Sequence, residues 1–313
     1  MAITGSAASI GQRSGGRELQ RRAGVPLKIL LLGQHGQVSR ELQRSLNGTH
    51  ELTVLNREQL DLAKPELIRQ QVQRLQPELI INAAAHTAVD QAESEPELTF
   101  AINATAPGIL AEAAAELNVP LIHYSTDYVF DGRQPTPYRE SDSTNPLSAY
   151  GRSKLAGEHA IQAVGGMHLI LRTSWVYSQH GKNFLLTMQR LLQERESLSV
   201  VDDQIGAPTW AGTIAQTTAQ LITQWRTGHA GPWGVYHLTA QGETSWFGFA
   251  SAIAAHLHSQ GKRVATLQPI PSSAYPTPAQ RPLNSRLDCS RLQQDWYVQL
   301  PDWQTALEQC LRS

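Results

Sequence analysis

Residues 28–38 read Lys-Ile-Leu-Leu-Leu-Gly-Gln-His-Gly-Gln-Val, and the order of chemistry along them sets the expected fold. A continuous apolar run, Lys28 to Leu32, ends on Gly33. A second glycine follows at Gly36, and Val38, Leu42 and Leu46 then recur at helical spacing. Strand, glycine turn and helix in that order bring backbone N–H groups at a helix N-terminus towards a pyrophosphate. The pattern is G-x-x-G, with Ser39 where a third glycine would govern close helix–strand packing. Serine is small enough for that place. An ordinary turn is the competing reading.

The alternation continues outward. Glu51 to Leu55 reads as a second strand ending at Asn56-Arg57, and Pro65 opens a helix to about Leu75. The apolar run of residues 77–81 is continuous rather than alternating, as in a strand buried on both faces. It ends on Asn82 and the small residues Ala83, Ala84 and Ala85, which leave room for a ligand against the backbone. His86 reads as a structural histidine before a proton carrier. A long helix is expected from about Ser94 to Leu117, with Asn103 inside it. Pro120 to Tyr124 then delivers Ser125-Thr126-Asp127, a helix near 147–164 carries Tyr150 and Lys154, and Leu169 to Arg172 leads to Trp175. This predicts an α/β, Rossmann-type doubly wound parallel sheet. Ligands bind such sheets at the carboxyl ends of the strands, and Gly33, Asn56, Ala83, Thr126 and Trp175 all belong to that edge. Residues 27–180 are assigned predominantly to this dinucleotide-binding unit, and 181–313 to a smaller, mostly substrate-binding region.

Tyr150 and Lys154 stand one helical turn apart on one face. A positive charge beside a phenol favours phenolate, so Lys154 is expected to lower the Tyr150 pKa. Thr126, 24 residues upstream, could hold a carbonyl oxygen in reach of that phenol. Such a set protonates an oxygen while a hydride arrives at the attached carbon. Y-x-x-x-K alone is common, and only the surrounding strands raise it above a chance pair. At the end of the second strand, where strict NAD binders place an acid for the ribose hydroxyls, this chain has Asn56 and Arg57. Arg57 can pair with a 2′-phosphate, so the reading leans to NADPH with NADH still admitted. A solvated loop charge is the alternative. Asp61 and Leu62 lie where an adenine contact would be placed.

Composition narrows the class. A formal charge of −1 and 41% hydrophobic residues fit a globular chain and give no basic excess for nucleic acid. No apolar run approaches the length needed to cross a bilayer. Two cysteines, Cys289 and Cys310, exclude a disulfide framework and suit a reducing, cytoplasmic setting. Residues 1–26 are rich in Gly, Ser, Ala and Arg and read as a disordered extension, ahead of a transit peptide. Five prolines between Pro269 and Pro282 imply a stiff loop over the substrate, and the scattered tryptophans read mostly as core or surface anchors.

The runs NAAAHTAVDQAESEPE, HYSTDYVFDG, YGRSKLAGE, LRTSWVY, DDQIGAPT and AYPTPAQRPLNSRL resemble the extended short-chain dehydrogenase/reductases, and among them the dTDP-4-dehydrorhamnose reductase family. The resemblance runs from Lys28 to about Leu307. It implies reduction of the C-4 ketone of a dTDP-4-dehydro-6-deoxysugar, in supply of rhamnose for surface polysaccharide. Tyr150 would be the proton donor, Lys154 its partner and a nicotinamide-ribose ligand, and Thr126 the hydroxyl on the keto oxygen. Gly36, Gln37 and Val38 would face the pyrophosphate, and Tyr124 would complete the cofactor groove. Asp127 and Trp175 would face the sugar, with Gln204, Arg281 and Asn284 gripping the thymidine diphosphate. Tyr128 stands where sugar-nucleotide dehydratases carry an acid, which favours a simple reductase. The magnesium-bridged dimer of some relatives is matched only in part: Glu41 is present, but Gly212 falls where another acid would stand. The expectation is a monomer or homodimer with no metal assigned. A non-catalytic NADP-binding regulatory subunit of the same fold is the alternative.

Overall fold

The computed structural model describes residues 24–313; the expected N-terminal extension lies almost wholly outside the described residues. In chain order the first elements are β1 (Lys28–Leu32), α1 (Gln37–Leu46), β2 (Glu51–Leu55), α2 (Pro65–Leu75) and β3 (Leu79–Asn82). Next come α3 (Pro96–Phe100), a π turn (Ala101–Thr105), α4 (Ala106–Leu117), β4 (Leu121–Thr126), α5 (Ala149–Val164) and β5 (His168–Thr173). The chain continues through β6 (Val176–Tyr177), α6 (Phe184–Glu194), β7 (Ser197–Val201), β8 (Ile205–Gly206) and β9 (Thr209–Trp210). It ends with α7 (Ala211–Arg226), β10 (Gly234–His237), β11 (Thr244–Ser245), α8 (Trp246–Ser259), β12 (Thr266–Ile270), α9 (Ser290–Trp296) and α10 (Trp303–Arg312).

Six strands form one parallel sheet in the order β10-β5-β4-β3-β1-β2. The two-residue period of a strand explains how β1 serves two cores at once. Ile29 and Leu31 pack with Leu42 and Leu46 of α1 and with Ile214, Leu221 and Trp225 of α7. Leu30 and Leu32 pack on the other face with Ile68 and Val72 of α2, Leu110 of α4 and Ile161 of α5. A third core, built on Leu185, Leu192, Phe249, Ile253, Trp303 and Leu307, belongs to the later helices α6, α8 and α10.

Three features differ from the sequence reading. The boundary near residue 180 does not divide the sheet, because β10 pairs with β5 and α7 covers α1. The helix expected as one piece from Ser94 is interrupted by the π turn that holds Asn103. And the helical run 96–117 is by length and composition apolar enough to span a bilayer, contrary to expectation. Its alanines raise the mean hydropathy, and 61% of its most apolar stretch is buried inside the fold, where α4 packs on the sheet beside α2 and α5.

Candidate active site

The strand order reverses direction between β1 and β3, so the loops leaving those strands part, and a cleft opens at their carboxyl ends. Its volume is about 750 Å³. Residues 33–38, Asn56, Arg57, residues 82–85, residues 124–128, Tyr150, Lys154 and residues 173–176 line it. Gly33 adopts φ +99°, and a Cβ there would stand 2.9 Å from the Ala83 carbonyl oxygen. Only glycine lets the first loop lie this close to the third strand. Gly36 caps α1 with no side-chain hydrogen bond, which leaves the first N–H groups of the helix available to an anion. Asn56 is turned inward to cap its own loop, accepting from the Gln59 N–H at 2.9 Å. The exposed Arg57 lies 3.8 Å from Asp61.

Thr126 ends β4, and α5 begins under a Ser148 cap that accepts from the Gly151 N–H at 3.1 Å. A Cβ on Gly151 would fall 2.2 Å from the Tyr128 carbonyl oxygen, so the glycine lets α5 start hard against the strand that carries Thr126. Tyr150 meets Tyr128 edge-to-face at 5.5 Å and interacts with the Thr126 hydroxyl. Burial raises its phenol pKa most, Asp127 and Tyr128 add to the rise, and the Thr126 contact opposes it.

This corrects the expected electrostatics. The Lys154 ammonium position is turned towards β4, where Nζ donates to the Tyr124 carbonyl oxygen at 2.7 Å and lies 3.1 Å from His123 Nε2. Lys154 is 1% exposed, and burial brings its pKa down to about 8 against the opposing pull of Glu158. Tyr150 is thus a protonated phenol near neutrality, and the phenolate expected from a facing lysine is not what the fold favours.

Glu158, one turn beyond Lys154, forms a buried pair with Arg172 of β5, Nη2–Oε2 2.6 Å, and accepts from the Ser125 hydroxyl. It therefore ties α5 to both β4 and β5. Asn103, presented by the π turn, receives the His86 N–H at 2.8 Å and donates to the His86 carbonyl and the Ser153 hydroxyl, each at 3.0 Å. A π turn offsets one residue from the helical ladder, and here that residue joins the α5 helix to the loop after β3. The local signal is Pro107, which has no N–H to give the Asn103 carbonyl in the helical ladder.

Asp127 is buried, and its carboxyl pKa is raised to about 6, chiefly by desolvation, with hydrogen bonds from Ser285 and Thr126 opposing. A carboxyl that holds its proton more tightly folded than unfolded adds stability at low pH. That contribution disappears as pH rises from the ordinary 3.8 through about 6. Asp127→Asn is therefore expected to flatten the pH dependence of unfolding by on the order of 2–3 kcal/mol, as read from urea midpoints across that range.

Trp175 takes φ +49°, rare for a bulky residue, and stacks on Trp246 at 3.6 Å in the cleft wall. Trp246 had read as an anchor, and only the stack reveals it. Five expected site residues are not among those that line the cleft. Leu62 is buried in the core beneath the cleft with Ile68 and Val72, and Asp61 caps the Ala63 N–H at 3.1 Å beside Arg57. Gln204 lies behind the tryptophan stack, accepting from Trp246 Nε1 at 3.2 Å. Arg281 pairs with Asp90 at 2.9 Å and also reaches the side chain of Tyr128 in the cleft wall. Asn284 spends its amide on the Gln134 and Thr136 carbonyls at 2.7 and 2.9 Å. Glu41 faces Arg44 at 3.4 Å and His180 at 3.9 Å, and among the described residues no group of three His, Cys, Asp or Glu is placed to hold a metal.

A family model described as RmlD substrate binding domain matches residues 27–313. A dTDP-4-dehydrorhamnose reductase of Burkholderia thailandensis is 47% identical over 91% of this chain and 98% of its own length. The enzyme of that name from Escherichia coli K12 is 46% identical over 91% and 97%. Among solved structures, a Bacillus anthracis dTDP-4-dehydrorhamnose reductase in complex with NADP superposes with a TM-score of 0.85 at 34% identity, covering 92% of this chain and 99% of that one. With residues 27–313 matched by the family model and the cleft formed in the same fold, this chain belongs to the dTDP-4-dehydrorhamnose reductase family.

Proposed function

We infer that this chain is an oxidoreductase that uses NADPH, with NADH as a weaker substitute, to reduce the C-4 ketone of dTDP-4-dehydro-6-deoxy-L-mannose to dTDP-L-rhamnose. The observation that carries the reading is the convergence of Tyr150, Lys154 and Thr126 on the one cleft that also holds the glycine turn. The cleft fits a dinucleotide: the Gly33 turn has no room for a Cβ, the start of α1 offers unpaired N–H groups, and Arg57 stands exposed at the rim. NADPH, when bound, supplies the hydride.

The chain's residues supply the rest. Tyr150, kept protonated by burial, donates its proton to the oxygen of the reduced ketone. Thr126 lies beside that phenol; its single hydroxyl proton goes to Asp127 at 3.0 Å, and rotating it from that acceptor makes Thr126 a second donor to the same oxygen. Trp175, Trp246 and Asp127 border the space beyond them, on the sugar side. The free thiols of Cys289 and Cys310 suit the cytoplasmic setting that belongs to this reading.

Consumption of NADPH on addition of the dTDP-ketosugar, with dTDP-rhamnose as the product, tests the assignment. Binding of NADPH without any turnover would instead indicate a regulatory subunit. Arg57→Ala is expected to raise KM for NADPH about tenfold, the loss of one charge-assisted contact, while leaving NADH within about twofold. Equal effects on both cofactors would remove Arg57 from the 2′-phosphate.

A further inference from the structure

We propose that His123 is a positioning residue whose ring tautomer, set by Asn82, biases Lys154 towards its neutral amine and couples the charge on Lys154 to the Ala83–Ala85 wall of the cleft. The argument is one of donors and acceptors. Asn82 Oδ1 accepts the Ala84 backbone N–H at 3.2 Å, which fixes which way its amide points. Its Nδ2 therefore faces His123 Nδ1 at 3.1 Å. An amide NH2 can only donate, so Nδ1 must accept, and the proton of a neutral imidazole then sits on Nε2. That Nε2–H points at Lys154 Nζ, 3.1 Å away. An ammonium has no lone pair to receive it; an amine has one. In this arrangement Lys154 accepts from His123 and donates to the Tyr124 carbonyl oxygen.

The charged form of Lys154 needs the opposite set. Nε2 must offer its lone pair, Nδ1 must carry the proton, and Asn82 must turn its oxygen towards the ring. That rotation directs Nδ2 at the Ala84 N–H and breaks the bond holding the cleft wall. Each protonation state of Lys154 thus has its own tautomer and its own amide orientation. Asn82, His123 and Lys154 are each 1% exposed, so two donors left facing one another could not turn to water.

The surrounding charges are few. His123 approaches from β4, and Glu158 lies along α5 with its charge met by Arg172 of β5. Tyr150 and Asp127 stand at the start of the helix, and the π turn brings the uncharged Asn103. Burial favours the amine and Glu158 opposes it. The histidine–asparagine pair adds to the first.

The consequence for turnover rests on Lys154 belonging to the reductase cleft, but the test does not. Histidine ring 15N shifts and a lysine side-chain titration are read by NMR on the full chain, without substrate. The expected result is an Nε2–H tautomer at pH values above the Lys154 midpoint, near 8, with both signals changing at one shared midpoint as the pH is lowered. Asn82→Asp, an acceptor only, should invert the tautomer and raise the Lys154 midpoint by about one pH unit or more. Should that variant not fold, the wild-type tautomer decides alone. An Nδ1–H ring at every pH, or a lysine that titrates while the histidine signal stays still, would overturn the proposal. Absence of ketosugar turnover would count only against the reductase assignment.

Discussion

Tyr150→Phe is expected to fold, to bind NADPH with a Kd within about twofold of wild type, and to lose about 10²–10⁴ of kcat, the usual worth of a positioned general acid. The hydroxyl is the donor that gives its proton to the developing oxyanion, and the ring that remains still packs against Tyr128. Removing it subtracts chemistry and leaves shape. Because burial keeps the phenol protonated, the wild-type rate should show no loss of donor across neutral pH. Thr126→Val should fall less far, since the phenol can still protonate the oxygen that Thr126 helps to hold. Steady-state rates on the dTDP-ketosugar and cofactor titration separate these effects. Near-normal turnover in Tyr150→Phe would end the mechanism.

The largest expected effect on stability comes from Glu158→Ala, at about 3–5 kcal/mol, the cost of breaking a buried ion pair from one side. Arg172 is 4% exposed, and one of its Nη atoms already lacks a partner. Without Glu158 the whole guanidinium would be stranded beneath the sheet. The Ser125 hydroxyl would lose its acceptor as well. Denaturant unfolding monitored by far-UV circular dichroism gives the number, and a loss below about 1 kcal/mol would mean that water reaches the pair. A double replacement, Glu158→Leu with Arg172→Met, should recover much of the stability, because buried pairs break near even with apolar residues of similar volume. Its activity should stay low if the pair also sets how α5 meets β4.

Much of this fold was legible in residue order. Lys28 to Leu32 and residues 77–81 are runs too short for helices and too apolar for a half-exposed sheet, and glycine or small residues stand at their ends. β2 and α2 occupy the expected residues, since proline and the alternation of polar and apolar residues act locally. β10 escaped notice because Gly234–His237 is four residues long, with no flanking pattern of its own. It is a strand only because the edge of β5 is there to receive it. The π turn carries a local mark in Pro107, but what Asn103 holds there is decided by its partners on two other segments.

The site divides along the same line. Tyr150, Lys154, Thr126 and the glycine turn could be named because helix periodicity and strand ends are properties of neighbouring residues. Tertiary structure alone decided that Lys154 answers to His123, that Asp127 holds its proton to about pH 6, and that Arg281 meets Asp90, 191 residues away in the chain. Desolvation and hydrogen-bond partnership depend on which segments the sheet brings within about 3 Å of one another, and no local pattern carries that distance.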